Sequence, residues 1–138
     1  MTADPSQTST ATPGSSTRPL HIVVVDDDPD SVTTLLMLLR EQGHRAEGFG
    51  SGAAALAAIP ALAPDVVISD IAMPAPNGWD VAKQIRANPR LRPLLIAISG
   101  QYTKGADRLL AQMSGFDYFL TKPYDPQVLI ALIAKAAT

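Results

Sequence analysis

The side chains with the most evident chemistry follow runs of apolar residues. The triplet Asp26-Asp27-Asp28 comes directly after a β-branched run, and Asp70 ends a second run. Ser99 follows a third run and Lys122 a fourth. Carboxylates gathered in one crevice repel each other and favour a hard cation such as Mg²⁺, whereas a hydroxyl and an ammonium group suit phosphoryl oxygens. These residue types favour a phosphoryl-transfer site, in which Asp70 would be available as a nucleophile.

The hydrophobic pattern predicts the elements that must gather these residues. Short apolar runs, typical of buried strands, alternate with segments that have helical periodicity. Predicted strands cover residues 21–25, 44–49, 65–70, 94–98 and 116–120, and predicted helices cover about 29–42, 53–59, 78–88, 103–114 and 126–137.

This alternation predicts an α/β fold with a doubly wound parallel sheet of five strands, (βα)₅. Of the common strand orders, 2-1-3-4-5 fits five strands, and it places strands 1 and 3 side by side at the switch point. The carboxyl ends of strands 1, 3, 4 and 5 then share one edge of the sheet. The residues at those ends, Asp26, Asp27, Asp70, Ser99 and Lys122, are therefore expected to lie together.

The sequence makes specific predictions for two of the helices. In helix 4 the residues Ala106, Leu109, Leu110 and Met113 share one apolar face. Helix 2 is expected to end near Ile59, because Pro60 follows it.

Composition bounds the class of protein. The chain has 138 residues, 46% of them apolar, with a net charge of −2 and no cysteine. This predicts one folded domain over residues 20–138, without disulfides or thiolate metal sites and without direct nucleic-acid binding. Residues 1–19, rich in Ser, Thr and Pro, are expected to form a disordered tail. With no run long enough for a membrane span and no secretory signal, the expected location is the cytoplasm, away from the membrane.

Taken together, these motifs resemble the receiver domain of two-component response regulators over about residues 20–137. The resemblance implies that Asp70 accepts a phosphoryl group from a sensor histidine kinase or a histidine phosphotransfer protein. It also implies a signalling phosphoacceptor rather than an enzyme that acts on other substrates. The motifs that carry it are Val24-Val25-Asp26-Asp27-Asp28-Pro29, the segment Asp70 to Gly78, Ile98-Ser99-Gly100 and Phe119-Leu120-Thr121-Lys122-Pro123.

The resemblance assigns a metal site. It implies Mg²⁺, or Mn²⁺ in its place, held by Asp26, Asp27, Asp70 and the backbone carbonyl of Ala72. Asp27 is expected to be the more direct ligand of the acidic pair. Asp28 is expected only to cap the following helix.

The same resemblance implies a switch. Ser99 and Lys122 would bind the phosphoryl group, and Phe119 would turn inward in response, with Tyr118 on the opposite strand face. The Lys122–Pro123 peptide bond is expected to be cis. The surface formed by helix 4, strand 5 and helix 5 would contact an output protein, and a phosphorylation-linked homodimer is a further expectation. Because Ala72 has no side chain that could position water, the phosphoryl group is expected to be comparatively long-lived.

Three other interpretations remain open from the sequence. A small phosphohydrolase resembling the haloacid dehalogenase group would use Asp26 as its nucleophile, but it leaves Asp70 without a role. A flavodoxin relative fits less well, because the acidic loop after strand 1 would repel a flavin phosphate. A non-phosphorylated interaction domain of the same fold would keep all of these residues without using them.

Overall fold

The computed structural model describes residues 18–101 and 104–137. These residues form a doubly wound α/β fold, in which helices cover both faces of one sheet. The predicted tail lies outside the described residues, apart from Arg18 and Pro19. The elements in chain order are β1 (His21–Val25), α1 (Pro29–Glu41), β2 (Arg45–Phe49), α2 (Gly52–Leu62), β3 (Val66–Asp70), α3 (Gly78–Arg86), β4 (Leu94–Ser99), α4 (Gly105–Ser114), β5 (Tyr118–Thr121), α5 (Pro126–Ala134) and a final 3₁₀ turn (Lys135–Ala137).

The five strands form one parallel sheet in the order β2-β1-β3-β4-β5, which confirms the predicted topology. The register aligns the carboxyl ends of the strands. Val25 pairs with Ser69, and Asp70 pairs with Ile98. Ser99 pairs with Thr121 at the end of β5. The residues that follow these strands are thus delivered to one edge of the sheet, as the strand order requires.

Alternation along the strands divides the core into two halves. Val23 and Val25 face the side covered by α2, α3 and α4, where Ile59, Val81 and Ile85 are buried. The alternate strand residues face the side covered by α1 and α5. Because both faces of the sheet are covered, the central strands β1, β3 and β4 are mostly apolar rather than alternating, whereas the edge strand β2 carries Arg45 and Glu47.

In α4 the apolar face predicted from the sequence is turned to solvent. Leu109 is 56% exposed, Leu110 40% and Met113 74%, whereas Ala111 and Ser114 are buried. The small side chains of Ala111 and Ser114 allow the helix to lie close to the sheet. Helical periodicity defines an apolar face, but it does not say whether the same chain covers that face.

In α2 the helix runs past the proline that was expected to end it. Pro60 lies in the last full turn, and the helix ends at Leu62. Proline is tolerated here because its side is exposed and only the bond to the Leu56 carbonyl is lost. Ala63, with a φ of 45°, closes the helix, and its N–H donates to the Ile59 carbonyl at 2.8 Å. The expected end at Ile59 was therefore wrong.

The helices of the described ranges are short, and the longest has 13 residues. None of them has the length and apolar character that crossing a membrane requires.

Candidate functional site

The edge where β1 and β3 end brings three carboxylates together. Asp26 directly follows β1 and is 6% exposed, and Asp70 is the last residue of β3 and is 9% exposed. Asp27 is exposed beside them. One oxygen from each of the three residues lies within 4.8 Å of the others. This confirms that the strand order gathers these carboxylates, and their oxygens fit a hard divalent cation such as Mg²⁺.

Lys122 reaches the same point from the end of β5. Its Nζ donates to Asp26 Oδ2 at 3.1 Å and to Asp70 Oδ2 at 3.3 Å. Burial lowers the pKa of Lys122, but hydrogen bonds and charge from the two carboxylates outweigh burial, so the pKa lies above its usual value. The side chain is therefore a fixed positive charge between the two buried carboxylates.

Asp70 has an environment that disfavours its charged form. Burial raises its pKa most, and the charge of Asp26 raises it further. The charge and hydrogen bond of Lys122, together with the Ala72 N–H that donates to Asp70 Oδ1 at 3.2 Å, act in the opposite direction. A carboxylate that is only partly compensated is suited to bind a cation or to react with an electrophile.

The carboxylate of Asp28, the third aspartate of the triplet, accepts hydrogen bonds from the first turn of α1. Asp28 Oδ1 accepts from the Asp30 N–H at 3.1 Å, and Asp28 Oδ2 accepts from the Ser31 hydroxyl at 2.9 Å. The Asp28 N–H in turn donates to Asp26 Oδ1 at 3.0 Å. Asp28 thus caps α1, as expected, and the turn it begins holds the Asp26 carboxylate in place.

The loop after Asp70 is held by its own backbone. The Gly78 N–H donates to the Ile71 carbonyl at 3.1 Å, and Asn77 and Asp80 form a capping box at the start of α3. The loop also contains a cis peptide bond between Ala75 and Pro76, which the sequence did not predict. The loop therefore returns to the end of β3 at a defined position, with Ala72 beside the Asp70 carboxylate.

The two other predicted response residues lie on the neighbouring strands. Ser99 is fully buried at the end of β4, and its Oγ accepts from the Gln101 N–H at 3.2 Å. The Lys122 N–H donates to the Ser99 carbonyl at 2.9 Å, so the ends of β4 and β5 are joined at this point. The Lys122–Pro123 peptide bond is cis.

Phe119 is half-buried on the face of β5 that packs toward α4, whereas Tyr118 packs on the opposite face. The guanidinium of Arg108, on α4, lies over the Phe119 ring at 5.0 Å from its centre. Sequence reasoning missed Arg108, because nothing in the spacing along the chain links it to a residue on another element.

A cleft of about 520 Å³ opens beside the carboxylates, between α1 and the segment that follows β5. Leu35 and Ile98 contribute to its apolar lining, and Tyr124 closes one side. Burial raises the pKa of Tyr124, which keeps its hydroxyl neutral. The cleft gives access to Asp70 from outside, a property that the sequence pattern did not reveal.

Fold and site together define a doubly wound parallel α/β protein with a carboxylate–lysine cluster at the switch point between β1 and β3. The family model of the response regulator receiver domain matches residues 22–134. The chain belongs to this family, and the resemblance noted from its motifs is confirmed.

Relatives and solved structures agree with this assignment. An uncharacterized 14.6 kDa protein of Leptolyngbya boryana is 34% identical over 116 residues, which cover 84% of this chain and 88% of that protein. The DNA-binding response regulator MtrA of Mycolicibacterium smegmatis is 35% identical over 113 residues, covering 82% of this chain but only 48% of MtrA. The chain thus spans about half the length of MtrA.

Among solved structures, the signal receiver domain of a signal transduction histidine kinase from Syntrophus aciditrophicus superposes with a TM-score of 0.78 at 27% identity, covering 86% of this chain and 89% of that one. The chemotaxis protein CheY4 of Vibrio cholerae has a TM-score of 0.80 at 22% identity, covering 86% and 99%. At this low sequence identity, the similarity to CheY4 concerns the fold alone.

Proposed function

We propose that Asp70 accepts a phosphoryl group from a sensor histidine kinase or a histidine phosphotransfer protein in the cytoplasm. The observation that carries the proposal is the placement of Asp70. One oxygen of its buried carboxylate lies within 4.8 Å of an oxygen of Asp26 and of Asp27. The Lys122 ammonium group donates a hydrogen bond to the same carboxylate. The family is a signalling family. The family match supports transfer to the protein's own Asp70 over a phosphohydrolase with Asp26 as nucleophile.

The donor set supports a Mg²⁺ site, in which Mn²⁺ could substitute because it accepts the same oxygen ligands. Asp26, Asp27 and Asp70 would supply carboxylate oxygens, and the backbone carbonyl of Ala72 would complete the protein ligands. When bound, the ion neutralises negative charge on the phosphoryl oxygens.

In the transfer itself, an Asp70 carboxylate oxygen forms the new bond to phosphorus while the bond from phosphorus to the donor's histidine nitrogen breaks. The electron pair of the broken bond stays on the departing imidazole. Lys122 must then move its ammonium group from the free carboxylates to a phosphoryl oxygen. The Ser99 hydroxyl would donate to another oxygen of the same group.

The output would pass through the α4, β5 and α5 surface. Movement of Ser99 and Lys122 toward the phosphoryl group would leave space that Phe119 can enter, which changes the position of α4. The exposed apolar residues Leu109 and Met113 of α4 offer this surface a contact for an output protein. A second copy of the chain, joined in a phosphorylation-linked homodimer, would use the same surface.

The test is incubation with acetyl phosphate and Mg²⁺ followed by intact-mass measurement. The wild-type protein should gain the mass of one phosphoryl group, and Asp70→Asn should gain none. Glu41→Gln, which changes an exposed acidic residue at the other end of α1, is the matched control and should react like the wild type. No mass gain with acetyl phosphate or with a phosphorylated histidine phosphotransfer protein would refute the proposal and favour a non-phosphorylated interaction domain.

A further inference from the structure

We infer that Arg108 is a positioning residue that holds Phe119 and the end of β5 in the unphosphorylated arrangement. It thereby sets how readily the site accepts a phosphoryl group. This inference rests on the proposed function of Asp70. It concerns a residue of α4 that has no contact with the carboxylates themselves.

Two contacts join Arg108 to β5. Its guanidinium lies over the Phe119 ring, 5.0 Å from the ring centre, and its Nη2 donates to Thr121 Oγ1 at 3.0 Å. A planar guanidinium can stack on a ring and donate at its edge at the same time, which a lysine ammonium cannot do as well. One side chain therefore fixes two residues of the strand.

The two residues it holds are placed next to the site. Phe119 and Thr121 alternate along β5 and so face α4 together. Thr121 directly precedes Lys122 and pairs with Ser99 across the sheet. A restraint on Thr121 is thus one residue away from the lysine that must move when a phosphoryl group arrives.

Other side chains of α4 hold the helix to the sheet only weakly. Ala111 and Ser114 are its buried residues, and both are small. The larger Leu109 and Met113 point to solvent. Arg108 therefore supplies a specific connection between a loosely packed helix and the end of β5.

Phe119 is half-buried beneath the exposed Arg108, so a further inward turn of its ring would lengthen the contact with the guanidinium. The Arg108 contacts consequently stabilise the unphosphorylated arrangement and oppose the phosphorylated one. By linkage, a ligand that favours the phosphorylated arrangement must bind more tightly once these contacts are removed.

Beryllofluoride, which binds carboxylates as a phosphoryl mimic, provides the probe, and the fluorescence of Trp79, the single tryptophan, provides the readout. With Mg²⁺ saturating, Arg108→Ala should bind beryllofluoride about 3- to 10-fold more tightly than the wild type, the size expected for losing one ring contact and one hydrogen bond at an exposed position. Arg108→Lys should fall between the two, and Thr121→Val should give a smaller tightening. Arg92→Ala, which removes an exposed arginine from the α3–β4 segment, is the matched control and should show no change.

Two further measurements separate positioning from general structure. The affinity for Mg²⁺ alone should be the same in Arg108→Ala and wild type, because Arg108 does not contact the carboxylates. In a Phe119→Leu background, Arg108→Ala should lose most of its effect on beryllofluoride binding. An undiminished effect in that background would contradict a role through Phe119.

The outcomes distinguish this inference from the proposed function. If the wild type binds beryllofluoride and Asp70→Asn does not, the phosphoacceptor role stands. Equal or weaker binding by Arg108→Ala would then overturn the inference alone. If the wild type does not bind beryllofluoride at all, the proposed function fails, and the inference fails with it.

Discussion

At the scale of single residues, the site combines charges that the folded chain compensates only in part. Asp26 and Asp70 are both buried, and Lys122 is shared between them. A raised pKa at Asp70 means that the folded state disfavours its carboxylate relative to the unfolded chain. The free energy of unfolding therefore decreases as the pH rises through the folded-state pKa of Asp70. The charged carboxylate that makes Asp70 reactive therefore lowers the stability of the folded protein.

The first prediction follows from this balance. Without Mg²⁺ at neutral pH, Asp70→Asn should raise the free energy of unfolding by about 1 kcal/mol, because a neutral amide replaces a disfavoured charge. Urea unfolding in the presence of EDTA measures the effect. The control Asp30→Asn should lower stability slightly, because Asp30 lies in the first turn of α1 where negative charge is favourable. A loss of stability in Asp70→Asn would contradict the prediction.

A second prediction concerns His44, which lies far from the carboxylates. Its Nδ1 accepts from the Leu20 N–H at 3.0 Å, and burial lowers its pKa below 6.5 although Asp65 acts in the opposite direction. A lowered histidine pKa means that its contribution to stability is complete above 6.5 and is lost as the pH falls below that value.

The urea midpoint should thus decrease as the pH falls from about 6.5 to about 5, within the range in which histidines titrate. His44→Asn keeps an acceptor for the Leu20 N–H but has no titrating group, so its decrease should be smaller. Identical pH profiles for the two proteins would rule out His44 as the source.

At the scale of elements, α4 and α5 differ in what their apolar residues do. Leu129 and Ile133 of α5 are buried in the core, whereas Leu109 and Met113 of α4 are exposed. Both helices show helical periodicity in the sequence. The difference arises because α5 packs large side chains on the sheet, while α4 packs small ones.

The third prediction compares these helices. Leu129→Ala should cost about 2–4 kcal/mol of unfolding free energy, because it leaves a cavity in the core. Leu109→Ala, the same change on α4, should alter stability by less than about 0.5 kcal/mol. Chemical denaturation of both variants checks this. A large loss in Leu109→Ala would show that its face is covered within this chain.

The fourth prediction concerns the loop that carries Ala72 to the site. A methyl group at Gly78 would collide with the Asp70 carbonyl and come within 2.6 Å of the Ile71 Cα. Gly78→Ala should therefore destabilise the protein by about 1–3 kcal/mol and slow phosphorylation by acetyl phosphate, because backbone beside Asp70 must shift. Gly105→Ala is the control, because a methyl group at Gly105 would meet no atom within 4 Å. This variant should keep both the stability and the phosphorylation rate of the wild type. Wild-type phosphorylation in Gly78→Ala would contradict a close-packed loop.

At the scale of the whole molecule, the parallel sheet is a support that brings distant segments to one edge. Asp26 and Lys122 are 96 positions apart, yet their side chains form a hydrogen bond of 3.1 Å. Such contacts exist only in the folded chain. A ligand held by these residues must therefore bind the folded state and stabilise the whole domain.

The fifth prediction is that Mg²⁺ raises thermal stability. At about 100 times its dissociation constant, an ion that binds only the folded state adds about 2.7 kcal/mol. The melting temperature measured by circular dichroism should rise accordingly and return to its starting value with EDTA. Asp27→Ala should lose most of the rise, whereas Glu41→Gln, at the other end of α1, should keep it. An undiminished rise in Asp27→Ala would exclude Asp27 from the ligands.

The strands, their order and the residues at their carboxyl ends could be predicted from the sequence alone, although strand 5 was expected over 116–120 and runs from Tyr118 to Thr121. This was possible because short apolar runs alternating with helices permit few topologies, and a parallel sheet places every carboxyl end at one edge. Asp26, Asp70, Ser99 and Lys122 could therefore be predicted as neighbours before their distances were known.

The contacts between these residues and their supporting helices became evident only in the folded structure. It showed Lys122 shared between Asp26 and Asp70, Arg108 over Phe119, and the apolar face of α4 open to solvent. Periodicity and spacing record which residues of one element share a face. They do not record which face another element covers, or which side chains meet across elements, because those contacts depend on the packing of the whole chain.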